Sequence, residues 1–552
     1  MATDTAPVTW RERFALALLC IAALWIRIPG LSKPFDREFG GHANAFFAIA
    51  AVNYEREGAW KHAGYPSVRI DGPAIVSDDV VGTADDDAAS VYVNHPPTVA
   101  LLAWASAHAF GPAGWSERWR DGLPPIGIES ALRMPFLALH VLGLVALWWA
   151  TRPALGGRAA LVAVAFAGLA PVGVTYGPLV NYENAAMPFV LVTLGAWIRH
   201  ARDGSLRMLL VAACASFFGG CITWAPLAFA AAIAVDAAFR RRWRLSLRAA
   251  LVIGGAAAIP LAAHVLLARA SGAVRENVLD RVPVVFGPVA ENPLLALAWL
   301  RLQLGYAVES IGAVQLALAA LALLVWTAQS WRERARAHLA GLPRAEPAFE
   351  AAPLVLGALV YLLAFHRHTI EPQRMFQLAL LPGVAVCAAA GVEALRGRRS
   401  ALRTALAAAL VLVVAGESVA RTRSIQRAMH APGAFDGPGG DASIRVPLPT
   451  TAGAGIARAT PKGWIALIPP ATGLNLAAGY YAWRNVVVAA APSALAEIRA
   501  GHPSSRAQRA CALVPMTPES DAVESSAAFE RGLPADATWR STAGGWRIWW
   551  LP

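Results

Sequence analysis

The residues that could carry chemistry are concentrated in one polar stretch, residues 31–130, which follows the first hydrophobic segment. Asp36, Glu38 and His42 lie near its start, and His95, which precedes two prolines, lies near its end. Carboxylates and imidazoles are common general acids and bases in enzymes. Because a bilayer cannot solvate the backbone of a long polar loop, this stretch must lie in water or against lipid headgroups. If the protein catalyses a reaction, we expect the reaction here.

The elements that position these residues are apolar. The chain has 552 residues, of which 57% are hydrophobic and 15% are charged, with a mean hydropathy of +0.46. A soluble domain carries roughly 25% charged residues, so the composition predicts a polytopic α-helical membrane protein. The net charge of +12 comes with arginines in short clusters between apolar runs. Such clusters set membrane orientation, and we expect no nucleic-acid partner. Four of the five cysteines lie in or beside apolar runs, so no disulfide framework is expected.

The apolar runs predict about eleven transmembrane helices, judged against the roughly 20 residues that an upright helix needs. The first, residues 14–28, is interpreted as a retained anchor, because the sequence after it lacks the small-residue pattern of a cleaved signal peptide. The other predicted spans are 131–150, 159–176, 184–198, 207–220, 223–239, 248–268, 311–329, 351–365, 376–395 and 402–420.

Loop charge predicts the orientation. Arginine clusters recur in every second loop, and with the N-terminus they define the cytoplasmic side of the inner (plasma) membrane. The outer side then holds 31–130, 176–184, 269–310, 366–374 and everything after 421. Two outer segments, residues 43–58 and 98–110, have apolar residues at helical spacing or are too short to span. They predict helices that lie on the outer leaflet.

The composition changes after Arg421. We expect a transmembrane module over residues 1–420, a linker over 421–440, and a small α/β domain over 441–552 on the outer side. Strand-like and helix-like runs alternate in this tail. The strand-like runs are 464–468, 485–488, 510–514 and 546–550, and the helix-like runs are 473–483 and 492–499.

Several of these features together resemble a known family. They are an outward Asp36 after the first membrane helix, a following helix, Tyr92-Val93-Asn94-His95-Pro96-Pro97 before a short helix, Ala131-Leu132-Arg133-Met134-Pro135, and Tyr176-Gly177-Pro178 leading to Glu183. The pattern resembles the GT-C membrane glycosyltransferases over roughly residues 10–420. It is most similar to the branch with protein O-mannosyltransferases and the aminoarabinose or sugar transferases of bacterial envelopes. One departure is Arg37, which separates Asp36 from Glu38, whereas many relatives have adjacent Asp and Glu.

The resemblance implies transfer of a sugar from a polyprenyl-phosphate donor to an acceptor hydroxyl. Asp36 would act as the general base, although a carboxylate there could also cap a helix. Glu183 would be a second carboxylate that orients the acceptor, or simply an acidic residue favoured at a helix N-terminus. His95 would be aimed at the site by its prolines, or would structure the loop. The acceptor would be an envelope lipid, glycan or protein.

The departing phosphate keeps its charge and needs fixed cations. The turn after the span 351–365 contains His366, Arg367, His368 and Arg374 on the predicted outer side. Arginine binds phosphate with paired hydrogen bonds, so Arg367 or Arg374 is expected to bind the donor phosphate, with His366 beside it. Arginines at a membrane border also extend to the headgroups without binding a ligand.

The residue types are compatible with a bound divalent metal. The acidic loop 78–87 lacks the regular alternation of a calcium loop, which favours a solvated acidic surface. Two groups of residues would suit zinc or manganese, although their spacing does not require a metal: Asp36, His95 and Glu183, or His366 and His368.

A transporter or flippase of a lipid-linked saccharide is the alternative function. Transporters usually carry ionisable residues near mid-membrane and internal repeats. Here the predicted spans contain His264 and Glu417 as the visible ionisable exceptions, and the polar residues crowd the outer side. The sequence therefore favours an enzyme, without naming its sugar, its acceptor, a metal or an oligomeric state.

Overall fold

A computed structural model shows a helical bundle followed by a small mixed sheet. The first helix, α1 (Trp10–Leu31), begins where the Thr9 side chain accepts a hydrogen bond from the Glu12 N–H at 3.2 Å. The structure describes residues 7–34, 39–67, 91–93, 95–118, 127–270, 293–339, 352–364, 376–396, 401–430, 449–461, 464–469, 485–488, 491–495, 509–515, 520–543 and 546–552.

Apolar helices make up the described chain as far as residue 430. They are α2 (Phe39–Glu57), α3 (Thr98–Phe110), α4 (Glu129–Leu155), α5 (Gly157–Leu169), α6 (Pro171–Tyr176), α7 (Tyr182–Asp203), α8 (Leu206–Gly220), α9 (Ala225–Phe239), α10 (Trp243–Arg248) with a π-helical turn (Ala249–Gly254), α11 (Gly255–Ala270), α12 (Pro293–Ser310), α13 (Ala313–Leu339), α14 (Ala352–Ala364), α15 (Gln377–Arg396) and α16 (Ala401–His430).

Helix lengths support a multi-pass membrane protein. Among the described residues, five continuous helical segments are long and apolar enough to cross a membrane: Trp10–Leu31, Glu129–Leu155, Trp243–Arg269, Gln377–Arg396 and Ala401–Arg427. The bent pair α12–α13 makes a sixth if it is one span, and α3, α5, α8, α9 and α14 are shorter apolar helices. Every predicted span overlaps helix in the described chain, and the span 159–176 is divided between α5 and α6. The helical membrane class is thus confirmed, while eleven spans stays a prediction.

Antiparallel packing of α1 and α4 defines two ends of the bundle. Glu12, near the start of α1, pairs with Arg152, near the end of α4, at 3.2 Å. At the other end Arg133, in the second turn of α4, donates to the carbonyls that close α1. We call this second end, where α1 ends and where α4 and α7 begin, the site end.

Helices α2 and α3 occupy the two segments predicted to lie on the outer leaflet. Residues on several sides of α2 are buried within the protein, including Phe47, Ile49 and Val52. Glu55 of α2 accepts a hydrogen bond from Trp104 of α3 at 2.8 Å. The expected helices are present and packed on each other, and their placement on a leaflet stays a prediction.

A sharp break separates α12 from α13, whose axes differ by 116°. Gly312, at the break, has a φ of +113°, which glycine adopts readily. Glu417 of α16 accepts hydrogen bonds from the N–H groups of Ala313 and Val314, at 2.8 and 3.0 Å, and so caps α13. The sequence assigned 269–310 to a loop, whereas α12 forms its second half.

The tail contains a five-stranded sheet in the order β2-β1-β3-β5-β4. Pairing is parallel among β2, β1 and β3 and antiparallel among β3, β5 and β4. Helix α17 packs on one face through Ile456, and α18 packs on the other through Phe529. The elements are α17 (Pro449–Ala459), β1 (Ile465–Ile468), β2 (Asn485–Val488), β3 (Ala510–Pro515), α18 (Ser520–Arg531), β4 (Thr538–Ala543) and β5 (Trp546–Leu551).

Strands β1, β2, β3 and β5 coincide with the four predicted strand-like runs. The helix-like run 473–483 lies outside the described residues, and so does the second half, 496–499, of the run 492–499. The small α/β unit is thus present as predicted, whereas the boundaries 1–420, 421–440 and 441–552 stay predictions.

Candidate functional site

Two of the three predicted catalytic residues, Glu183 and His95, lie within the described chain, and both are at the site end. His42 lies in the first turn of α2, where its side chain is outside the description. The other candidates, together with the acidic loop 78–87, are outside the described residues: Asp36, Glu38, His366, Arg367, His368 and Arg374.

Glu183 is a buried carboxylate in the first turn of α7, with 3% of its surface exposed. Its Oε1 accepts a hydrogen bond from the Tyr361 hydroxyl of α14 at 3.0 Å. Its Oε2 is buried and has no hydrogen-bond partner among the described residues. Leaving a buried acceptor unsatisfied costs about 1–3 kcal/mol. The buried, unsatisfied Oε2 atom therefore favours a role for Glu183 in binding a ligand that donates a hydrogen bond.

His95 lies directly beside this carboxylate's helix. Its ring stacks on the ring of Tyr182, the residue before Glu183, with a centroid distance of 3.9 Å and an interplanar angle of 22°. Phe47 of α2 packs edge-on against Tyr182 at 5.7 Å. The structure therefore brings His95 and the start of α7 together, as the sequence predicts for two members of one site.

The start of α7 is rigid because asparagines satisfy its free backbone groups. The Asn181 side chain caps the helix by accepting from the Asn184 N–H at 2.6 Å, and its amide donates to two carbonyls of the preceding turn. The Asn184 amide donates to the carbonyls of Phe136 and Gly177, so its oxygen accepts from His140 Nδ1 at 2.9 Å. Asn181 is therefore the capping residue, and Glu183 lies in the first turn of α7, where the helix dipole also favours a carboxylate.

Helix α3 and the segment before it are anchored at the same end. The Thr98 hydroxyl, in the first turn of α3, donates to the Cys221 carbonyl between α8 and α9. The Tyr65 hydroxyl hydrogen-bonds both Nδ1 and the carbonyl oxygen of His264 in α11. Tyr65 also packs with Val93, two residues before His95. These contacts fix the approach to His95 from both sides.

A pocket with cationic walls adjoins the end of α1. Its lining includes Arg27, Lys33, Arg133 and Gln426, and Pro34 at its edge precedes Asp36 by two residues. Arg27 is 1% exposed and donates to the carbonyls of Ala23, Gly168 and Gly173 at 2.7–2.8 Å. The guanidinium thus joins α1 to α5 and α6 and adds positive charge beside the segment that leads to Asp36.

Sequence reasoning missed Tyr361 and underestimated Arg27 and Arg133. Arg133, which the sequence analysis names only as part of a motif, is 1% exposed. The signals were present, since Arg27 is a charge inside an apolar run and Tyr361 is a hydroxyl near the end of one. Their partners could not be read from the sequence.

No group of three His, Cys, Asp or Glu side chains that could hold a metal is found among the residues that the structure describes. Asp36, His366 and His368, which belong to the two sets suggested as metal ligands, are outside that part of the chain. His95 and Glu183 alone do not form a ligand set.

Comparison with known proteins adds to this geometry. Residues 127–267 match the family model described as dolichyl-phosphate-mannose-protein mannosyltransferase. No curated protein sequence matches the chain.

Solved structures resemble the chain over nearly its whole length. ArnT from Cupriavidus metallidurans in the apo state has a TM-score of 0.53 at 13% identity, covering 98% of both chains. The same protein bound to undecaprenyl phosphate has a TM-score of 0.53 at 12% identity, covering 98% of this chain and 97% of that one. The apo oligosaccharyltransferase of Archaeoglobus fulgidus has a TM-score of 0.56 at 12% identity, covering 94% of this chain and 71% of that one.

The resemblance to the GT-C membrane glycosyltransferases is thereby confirmed. The chain has the GT-C fold, with its candidate site at the end of the bundle where α7 begins.

Proposed function

We propose that the protein transfers a hexosyl or pentosyl unit from a polyprenyl-phosphate donor to an acceptor hydroxyl at the outer face of the cytoplasmic membrane. The acceptor oxygen forms a bond to the anomeric carbon while the bond from that carbon to the phosphate oxygen breaks. Asp36 takes the hydroxyl proton as general base, and the polyprenyl phosphate leaves with the bonding electron pair. The acceptor is an envelope lipid, glycan or protein.

The proposal depends chiefly on one observation, the hydrogen bonding of the Glu183 carboxylate. One oxygen is held by Tyr361, and the other is buried without a partner among the described residues. A hydroxyl of the acceptor would satisfy the second oxygen and would be oriented by it. His95 lies beside the same helix start through Tyr182, so the two residues can act on one bound substrate.

The donor phosphate is assigned to Arg367 and Arg374, with His366 beside them. Tyr361, five residues before His366 in the chain, hydrogen-bonds Glu183, so the last turn of α14, which ends at Ala364, contacts the carboxylate. A donor of this class is supported by the similar fold of ArnT, which has been seen bound to undecaprenyl phosphate. His42, Glu38 and His368 remain further candidates for contact with the substrate.

The proposal also implies an orientation of the protein in the membrane. The arginine-rich helix ends, such as the end of α4 with Arg152, face the cytoplasm together with the N-terminus. The site end then faces outward. The unit formed by residues 441–552 lies on that outer side, after a linker at 421–440.

A transporter or flippase is disfavoured by the contacts of His264 and Glu417, the two ionisable residues that the sequence analysis singled out in the predicted spans. His264 hydrogen-bonds Tyr65 of the segment after α2, and Glu417 caps α13. Both side chains hold helices or loops in place, so neither marks a path across the membrane.

The test is transfer by purified protein supplied with a radiolabelled polyprenyl-phosphate sugar and extracted envelope. Asp36→Asn should lower turnover about 10²–10⁴-fold, as expected for loss of a general base, with donor binding retained. The matched control is Asp236→Asn, because Asp236 pairs with Arg240 at the opposite end of the bundle. Near-normal turnover by Asp36→Asn would refute the assignment of the base.

A further inference from the structure

We propose that Arg133 and Asn44 are positioning residues that hold the start of α7, which carries the candidate carboxylate Glu183, in a fixed place relative to the end of α1, the helix that precedes the candidate carboxylate Asp36 in the chain. This inference rests on the proposed function, because it requires both carboxylates to act on one substrate. It assigns to these two side chains a role in turnover that they exert through the backbone groups they hold.

Arg133 holds the end of α1, the helix that leads to Asp36. Its Nη1 donates to the carbonyl oxygens of Gly30 and Leu31, both at 3.0 Å, and to that of Lys33. The last carbonyls of a helix have no partner within it, so the guanidinium satisfies groups that would otherwise be exposed or unpaired. Lys33 is three residues before the proposed base, Asp36, in the chain.

Asn44 holds the start of α7, the helix that carries Glu183. It is fully buried, and its Oδ1 accepts from the Val180 N–H at 3.2 Å. Val180 is three residues before Glu183 and directly precedes Asn181, the cap of α7. Asn44 thus binds the backbone N–H that comes directly before the cap of α7, in addition to the contacts of Asn181 and Asn184.

Arg133 and Asn44 also contact each other, because the same Asn44 oxygen accepts a hydrogen bond from Arg133 Nε at 3.4 Å. One buried contact therefore joins the end of α1 to the start of α7. We call these two side chains, with the carbonyls and the N–H that they bind, the Arg133–Asn44 junction. In the chain, Asp36 follows Lys33 by three residues and Glu183 follows Val180 by three residues. A change in the junction therefore shifts the start of α7 relative to the end of α1.

Arginine suits this position for a geometric reason. Its planar guanidinium donates from Nη1 to the α1 carbonyls while Nε faces Asn44. Lysine has one nitrogen at the end of a flexible chain. Arg133→Lys can keep the charge and a contact to α1, but it loses the hydrogen bond that Arg133 Nε donates to Asn44.

A positional error of 1 Å in a catalytic group can cost on the order of 10²-fold in rate. We therefore expect Arg133→Lys and Asn44→Ala each to lower kcat about 10- to 100-fold, with KM for the polyprenyl-phosphate donor unchanged. Because both variants break the same link, the double variant should turn over no more slowly than the slower single variant.

A matched control separates positioning from general stability. Arg199, near the other end of α7, also donates to carbonyls of two helices, to Gly195 at 2.8 Å and to Trp149 at 2.9 Å. Arg199→Lys should lower the thermal unfolding midpoint without lowering kcat. Asn44→Ala removes only an amide, so it provides a folded variant if Arg133→Lys is too unstable to purify.

The measurements are kcat, donor KM and unfolding midpoint for these variants, with Asp36→Asn in parallel. Wild-type kcat in a folded Arg133→Lys or Asn44→Ala overturns the inference, and so does a kcat loss that Arg199→Lys reproduces. If Asp36→Asn is inactive in either case, the proposed function stands and only the junction fails. If Asp36→Asn is active, the proposed function itself fails and this inference falls with it.

Discussion

The hydrogen bond from Tyr361 to Glu183 allows a sharp test of the site, because its removal changes one atom in a described contact. Tyr361→Phe deletes the hydroxyl that donates to Oε1 at 3.0 Å and keeps the ring that packs near Phe376, with a centroid distance of 6.3 Å. After the change, neither oxygen of Glu183 has a side-chain partner among the described residues. The carboxylate can then rotate away from the acceptor.

The size of the effect follows from the burial of both partners, which are 1% and 3% exposed. A hydrogen bond to a charged group contributes about 1.5–3 kcal/mol. Each 1.36 kcal/mol corresponds to about tenfold in rate. If the bond supports Glu183 chiefly in the transition state, Tyr361→Phe lowers kcat about 10- to 150-fold.

The assay is steady-state transfer from a labelled donor by purified Tyr361→Phe, Glu183→Gln and the double variant. Glu183→Gln should lose activity on its own, and adding Tyr361→Phe should cause little further loss, since both act through one carboxylate. Tyr54→Phe is the control, because the Tyr54 hydroxyl donates to the Gly64 carbonyl at 2.6 Å and lies outside the site. It should lower stability and leave kcat near wild type.

Two results would refute the reasoning about Glu183. The first is wild-type kcat in Tyr361→Phe, which would mean that the bond only joins α7 to α14. The second is full additivity of Tyr361→Phe and Glu183→Gln, which would mean that the two residues act independently.

Three further predictions concern other parts of the chain. Arg367→Ala or Arg374→Ala should raise donor KM about 10- to 150-fold and leave acceptor KM near wild type; donor titration like wild type in both would move the phosphate site elsewhere. Truncation after Arg427 should leave a folded protein that binds donor and transfers poorly to its natural acceptor; full-rate transfer would remove the tail from the mechanism. Burial raises the pKa of Cys511 to about 11, so alkylation at pH 8 should be about 100-fold slower in the native protein than after unfolding, and fast native labelling would contradict its burial.

The helices of the bundle were predictable because their signal is local. Long apolar runs must form helices in a membrane, and a helix lies at every predicted span. Helix α12 was missed because Arg301 and Glu309 interrupt its apolar residues. Residues 269–310 were predicted to be a loop on the outer side. Their second half forms α12, whose leucines, such as Leu297, are exposed on the protein surface.

The strands of the sheet were likewise predictable only where their residues are apolar and buried. Strands β1 and β3 carry apolar residues on both faces, because α17 and α18 cover both sides, and this density predicted them. Strand β4 is an edge strand with exposed residues, including Trp539 at 54% exposure, and it has no such pattern. An edge strand with two solvated faces carries little sequence signal.

The site was only partly predictable, because its decisive contacts are distant in the chain. Glu183 and His95 were identified from residue type and resemblance, but Tyr361 is 178 residues from Glu183. Arg133 and Glu417 drew attention as charges in or beside apolar runs. Their structural partners, the carbonyls of α1 and the N–H groups of α13, are backbone atoms, which no residue type reveals.

The cap that Glu417 forms on α13 sets a limit on how the end of the chain can be rearranged. Successive residues of an α-helix are about 100° apart, so inserting or deleting one residue in α16 before position 417 would turn this carboxylate away from the N–H groups of Ala313 and Val314. Arg421, one turn further on, pairs with Glu417 at 2.9 Å and shares the same angular constraint. A chimaera that exchanges the tail should therefore be joined after Arg427, because Ile425 is buried and Gln426 still lines the pocket beside Arg27.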